Sequence, residues 1–179
     1  MKSSHLKLFL CAAAALAFAG AAPAQQPDYQ DIGPIPLALR AAKTVFVSNA
    51  GSDSGLFPEP FTGDPSRPYT EFYTALKAAG HFQLVDDPSA ADLVLELQLT
   101  APSGPQSPSK QNGASDPLPM LRLVVYDRKT HYILWAVTES VDSAFLQKTH
   151  DHNLDDAIKL ILADFERVAN TTPTPVTNP

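Results

Sequence analysis

Leucine alternates strictly with other residue types over positions 93–100, in the segment LVLELQLT. Successive side chains of a β-strand point to opposite faces of the sheet, so this alternation predicts a strand with one buried face. The odd-numbered leucines are expected in the core, while Val94, Glu96 and the even-numbered positions after them are expected on a largely solvated face. A strand of this kind requires other strands beside it and helices over its leucine face.

Other segments of the chain are predicted to supply those strands and helices. Apolar, β-branched and aromatic residues concentrate in four further runs, which we predict as strands at 43–48, 81–85, 121–127 and 131–141. The turn sequence Asp127–Thr130 joins the last two in an antiparallel hairpin. Helical spacing of apolar residues predicts one helix over 65–80 and another from an N-cap at Asn153 to Ala169. We therefore predict an α+β fold, a two-layer sandwich in which a mostly antiparallel sheet of four or five strands carries two helices on one face.

Residues 1–24 have the layout of a secretory signal peptide. Lys2 and Lys7 precede the uncharged, apolar stretch 8–22, which is shorter than the roughly 20 residues that a membrane span requires. Ala22-Pro23-Ala24 places small residues before a cleavage site that follows Ala24. We expect the mature protein to be periplasmic or secreted and to have no stable membrane anchor.

Cleavage of this signal changes the charge and the cysteine content. Of the 13 basic residues, Lys2 and Lys7 leave with it, so 11 remain against 19 acidic ones, a net charge of −8; Cys11, the single cysteine, leaves as well. This negative charge argues against nucleic acid and anionic membrane as partners.

We divide the chain after the signal peptide into a loose leader at 25–42, one domain at 43–169 with a flexible Pro/Ser-rich insertion at 101–119, and a disordered tail at 170–179.

The chain matches no familiar catalytic motif. Gly51–Gly55 has Asp53 at the position where a nucleophile elbow requires serine, and no Gly-Lys-Ser/Thr follows these glycines to bind phosphate. A glycoside hydrolase would need two cooperating carboxylates, for which Glu96 and Glu139 are the candidates. We predict a protein that is not an enzyme and has no cofactor, and we keep a hydrolase as a rival hypothesis.

His150, Asp151 and His152 form the one cluster in the sequence with the chemistry of a metal site. Imidazole nitrogens and carboxylate oxygens are ligands for zinc and other divalent cations. As an alternative function, we predict a small-ligand or divalent-metal-binding periplasmic protein that uses these three residues on a loop before the last helix. A polar approach to the helix cap is the other interpretation of the same residues.

The solvated face of the predicted sheet is more apolar than solubility requires. Valine and aromatic side chains lie among charged ones there, a mixture that indicates a contact surface, although an ordinary half-exposed sheet is the alternative. Because Trp135 alternates with Leu134, one of the two is expected to face outward. The predicted partner-binding residues are Val94, Glu96, Arg122, Val124, Tyr126 and Trp135.

Several segments resemble those of small bacterial envelope domains. A helix ends in glycine within Leu76–Phe82, a strand follows Ala-Asp within Ala90–Leu95, and a hairpin turns at Val125–Thr130 before Leu134-Trp135. In these features residues 43–169 are similar to the N-terminal domain of TolB and to related periplasmic α/β modules of unknown function. The resemblance implies a non-enzymatic accessory domain with an envelope protein as its partner. Our leading hypothesis is therefore a protein-interaction or assembly module of the cell envelope.

Overall fold

A computed structural model of the chain describes residues 34–103 and 117–170. The helices and strands in these ranges are, in chain order, α1 (Leu37–Ala41), β1 (Thr44–Ser52), α2 (Arg67–Ala79), β2 (Gln83–Leu84), β3 (Leu93–Thr100), β4 (Met120–Asp127), β5 (Ile133–Ser140) and α3 (Gln147–Asn170). The predicted signal peptide, the leader up to residue 33, positions 104–116 of the insertion and positions 171–179 of the tail lie outside the described residues. None of the helices in the described ranges combines the length and the apolar character that a membrane span needs.

The five strands form one mixed sheet in the order β2-β1-β3-β4-β5. β1 is parallel to both of its neighbours, β2 and β3, whereas β3, β4 and β5 form an antiparallel meander. The chain was predicted to be α+β, and it is; the parallel part of the sheet was not predicted. It arises because α2 carries the chain back across the sheet after β1, so that β2 and β3 start from the same end as β1.

The hydrophobic core lies between the sheet and the helices. All four leucines at odd positions of β3 are buried, as the alternation predicted, and Phe72 and Leu76 of α2 are buried with them. α3 adds an apolar stripe with helical spacing, whose buried members include Leu154, Ile158, Ile161 and Phe165. Gly80 ends α2 in the left-handed conformation, with φ of 71°, which glycine adopts without steric cost.

Two segments that lie outside the predicted strands and helices are part of this core. Within the predicted leader, Leu37–Ala41 is a short helix whose Leu39 is fully buried. β1 continues to Ser52, and the following loop buries Leu56 and Phe61. These apolar side chains anchor both segments, because burying them removes their surface from water.

The described ends of the insertion at 101–119 are paired with each other and with neighbouring strands. Ser103 and Pro117 form an isolated antiparallel bridge, and the Leu118 amide donates to the Pro102 carbonyl over 3.0 Å. The Val141 amide donates to the Pro119 carbonyl over 2.8 Å. The antiparallel pairing of β3 with β4 thus extends past the two strands into the insertion.

Helix α3 begins at Gln147, six residues before the cap predicted at Asn153. Asn153 lies within the helical segment, and its side-chain amide donates to the Asp142 carbonyl over 2.9 Å. Residues 147–152 contain no apolar side chain to show helical periodicity, so the true start of the helix cannot be read from that pattern. His150, Asp151 and His152 consequently lie on the first turns of a helix and not on a loop.

We expect Leu97→Ala to lower the free energy of unfolding by about 2–5 kcal/mol, since it opens a cavity in the centre of the core. Gln98→Ala, the matched change on the opposite face of the same strand, should alter it by no more than about 0.5 kcal/mol. Urea denaturation followed by circular dichroism measures both values. Equal losses for the two variants would contradict the assignment of the faces.

Candidate docking face of the sheet

The sheet has a second face, directed away from the core, which we call the open face. On it an apolar row crosses four strands in register: Phe46 of β1, Val94 of β3, Tyr126 of β4 and Ile133 of β5. Ile133 is 55% exposed, and the other three are half-buried. With strands about 4.8 Å apart, the row is about 14 Å wide.

Two further rows on the open face carry polar side chains. One runs from Ser48 through Glu96 and Val124 to Ala136, and the other contains Gln98, Arg122 and Thr138. In register Glu96 lies opposite Val124 and not opposite Arg122, and among the described residues no ion pair joins these two charges. The open face therefore has an apolar row at one end, and the two rows beside it carry the oppositely charged side chains of Glu96 and Arg122.

Five of the six residues predicted to bind a partner share the open face; Trp135 does not. Trp135 lies opposite Val125, whose side chain is in the core, and it packs against the core from the helix side. The reason is a register shift in β5: Tyr126 lies opposite Ile133 while Val125 lies opposite Trp135, so Leu134 is the extra residue of a β-bulge. Alternation alone could not place Trp135, because a bulge shifts the faces of the residues beyond it. Val124 is on the open face but is only 1% exposed.

Phe46 and Ile133 belong to the apolar row and were missed as site residues. The alternation within KTVFVS already separates Phe46 from the buried Val45 and Val47, which is the sequence signal for its face. No sequence signal places Phe46 beside Val94, because that neighbourhood depends on the parallel pairing of β1 with β3. Ile133 depends in the same way on the bulge in β5.

The predicted metal ligands His150, Asp151 and His152 do not converge on one point. Consecutive residues of an α-helix point about 100° apart, so three in a row cannot face one ion. The His150 ring stands edge-on to Phe61 at 5.9 Å, whereas the exposed His152 ring lies 3.3 Å from Asp156. Across residues 34–103 and 117–170, no group of three His, Cys, Asp or Glu side chains is arranged to hold a metal ion.

Asp151 instead belongs to an ion-pair network around Arg67. The guanidinium of Arg67 donates to Glu71 and Asp155 over 2.7 Å each and also to Asp151. Thr62 joins the network through its amide and hydroxyl, which donate to the two oxygens of Asp151 over 2.9 and 3.0 Å. Arg67 opens α2 and the two aspartates lie one turn apart on α3, so the network fastens the loop after β1 to both helices.

The two carboxylates considered for a hydrolase lie on opposite faces of the sheet. Glu96 is on the open face, and Glu139 lies opposite Leu121 on the core face, where it meets Asp164 of α3. A retaining or inverting pair must flank one bond from the same cleft. Glu96 and Glu139 therefore cannot act together on one substrate.

No family model matches the chain, and no curated protein matches it. Among solved structures it is similar to the PelC dodecamer from Paraburkholderia phytofirmans (12% identity, 79% of this chain and 94% of that one, TM-score 0.42). It is also similar to a DUF4136 family protein from Bacteroides thetaiotaomicron (13% identity, 75% of this chain and 92% of that one, TM-score 0.47). A third similar structure is that of lipoprotein GNA1162 from Neisseria meningitidis (14% identity, 72% of this chain and 99% of that one, TM-score 0.36). The resemblance to the TolB N-terminal domain stays a prediction.

Asp151→Asn should destabilise the fold at pH 7 by about 1–3 kcal/mol, because it weakens charge-assisted hydrogen bonds. Burial raises the pKa of Asp151, but the hydrogen bonds from Thr62 and Arg67 outweigh burial and bring that pKa below its ordinary 3.8. The stabilisation is therefore present above the ordinary pKa and is lost as the pH falls through the lowered one. Urea titrations should show the difference from wild type at pH 7 and a smaller difference below pH ~4. A gap that stays constant with pH would contradict the network.

Glu139→Gln should have the opposite effect and stabilise the fold at pH 7 by about 0.2–1 kcal/mol. Burial raises the pKa of Glu139, and the adjacent Asp164 carboxyl raises it further. Ionised Glu139 thus costs the folded state stability above its raised pKa, and this cost disappears once the pH is below the unfolded value. The same titrations measure it, with Asp86→Asn in an exposed turn as the control. A loss of stability at pH 7 would show that the two carboxylates do not oppose each other.

Proposed function

We propose that the chain is an exported, non-catalytic domain of the cell envelope that binds another envelope protein through the open face of its sheet. The observation that carries the proposal is the apolar row of Phe46, Val94, Tyr126 and Ile133. Export is supported by the signal-like layout of residues 1–24. The proposal includes a two-layer arrangement, with the described helices on one side of the sheet and the partner on the other.

The composition of the open face supports a protein as the partner. Interfaces between proteins combine an apolar centre with a polar rim, and aromatic residues are enriched among those that contribute most to affinity. Tyr126 occupies the middle of the row, and its phenol combines apolar area with a hydroxyl that can form a hydrogen bond. Glu96 and Arg122 lie beside the row as separated charges, which favours one orientation of a partner with complementary charges.

The positions of the chain's carboxylates support a role without catalysis. Asp151 and Asp155 are engaged by Arg67, and Glu139 is paired with Asp164 on the far side of the sheet from Glu96. The fold holds Asp151 and Asp155 in ion pairs, and none of these acidic groups lies beside another at the open face. Binding is the activity that the contacts of the open face favour.

A photo-crosslinking residue at Tyr126, introduced into the native host, should give one dominant adduct with another envelope protein. The same residue at Leu160, which is exposed on α3 on the opposite side, should not give that adduct. The captured protein is then purified, and its affinity is measured by calorimetry. Ile133→Lys should weaken it tenfold or more, since the charge placed at the end of the apolar row must be desolvated when the partner binds.

Ile133 is 55% exposed, so its substitution should leave the melting temperature nearly unchanged and serve as its own folding control. Equal adducts from Tyr126 and Leu160, or an affinity that Ile133→Lys does not change, would overturn the proposal. An adduct with a second copy of this chain alone would also overturn it, because the proposed partner is a different protein.

A further inference from the structure

Exposed apolar side chains also gather at one end of the sheet, where β1, β3 and β5 end and β4 begins. Three connecting segments meet at this loop end: 53–66, the described ends of 101–119, and 141–146. Phe145 is fully exposed and Leu146 is 69% exposed, although neighbouring Val141 is buried. Leu118, 45% exposed, belongs to the same end. Exposed aromatic and leucine side chains side by side are characteristic of binding surfaces.

Two grooves lie next to each other at the loop end and share Pro60, Phe145 and His150 as their common wall. Their volumes are about 490 and 420 Å³, each of the size that accommodates a bulky side chain. The larger groove is lined mostly by apolar groups, among them Leu56 and the prolines 117 and 119. The smaller groove is lined in part by the acidic residue Glu59. The two grooves therefore suit two different kinds of side chain.

We propose that the loop end is a second docking site, which takes a peptide segment of a partner protein with an apolar side chain followed directly by lysine or arginine. The apolar side chain occupies the larger groove and packs on Phe145 and the prolines. The cationic side chain enters the smaller groove and pairs with Glu59. This site is separate from the open face and does not depend on the function proposed for it.

The local charge favours a cationic ligand. Glu59 lines the smaller groove itself, and Asp142 lies in the loop just before Phe145. Arg67 is surrounded by three carboxylates, so its network has a net negative charge, which exceeds the single positive charge of Lys148 in the first turn of α3. An excess of negative charge around a groove raises the local concentration of cationic groups and repels phosphate and anionic lipid. Charge complementarity thus selects a basic segment over an acidic one or a membrane surface.

The experiment uses two short peptides that differ only in charge, N-acetyl-Phe-Lys-amide and N-acetyl-Phe-Glu-amide, titrated into the 15N-labelled protein. The lysine peptide should shift the amide signals of Phe145 and His150 to saturation, and the glutamate peptide should bind more weakly. Glu59→Gln should weaken the lysine peptide about two- to fivefold, the range for an exposed charge pair, and should not weaken the glutamate peptide. Asp86→Asn, an equal charge change in a distant turn, should have no effect.

Phe145→Ser should abolish binding of the lysine peptide, while Leu160→Ser, an exposed apolar residue on another surface, should leave it intact. Both variants remove exposed side chains, so their melting temperatures should equal that of the wild type. A loss of binding can then be told apart from a loss of folding. Absence of a saturating shift, or equal binding of the two peptides, would overturn the proposal. So would sedimentation showing a wild-type dimer that Phe145→Ser dissociates, because the groove would then be covered by a second copy.

Discussion

The alternation in β3 is the constraint on which both the core and the open face depend. β3 is the central strand of the sheet. Its leucines point toward α2 and α3, and the residues between them therefore point to the open face. A slip of one residue in its pairing would bring Glu96 and Gln98 into the core and expose the leucines. Because the burial of the leucines forbids that slip, it also fixes which side chains lie on the open face. The stability of the domain and the composition of its open face therefore have one cause.

The Arg67 network plays the complementary role at the loop end. The segment after β1 has no long regular element of its own. It is anchored by the side chains of Leu56 and Phe61 in the core and by the hydrogen bonds from Thr62 to Asp151. Since Asp151 lies one residue from His150, the network also fixes the start of α3, where the two grooves meet. Of the predicted metal ligands, Asp151 thus belongs to the ion-pair network and His150 to the wall of both grooves, while His152 lies beside Asp156.

Local patterns predicted those elements whose side chains repeat with a clear period. β3 has the predicted bounds, α2 ends at Gly80 as predicted, and β4 and β5 form the predicted hairpin. The parallel pairing of β1, the bulge at Leu134 and the early start of α3 have no local signature, because each depends on contacts between distant segments. Five of the six residues expected on the open face lie there, whereas Phe46 and Ile133 required the register of the whole sheet.

The most direct test of the open face as the docking surface is methyl cross-saturation with the protein captured at Tyr126. Saturating the partner's protons should attenuate the methyl signals of Val94 and Ile133, which lie in the apolar row, and leave that of Leu160 on the other side unaffected. Attenuation of Leu160, with Val94 and Ile133 unchanged, would show that the partner binds the helices and that the open face is an ordinary solvated surface of the sheet.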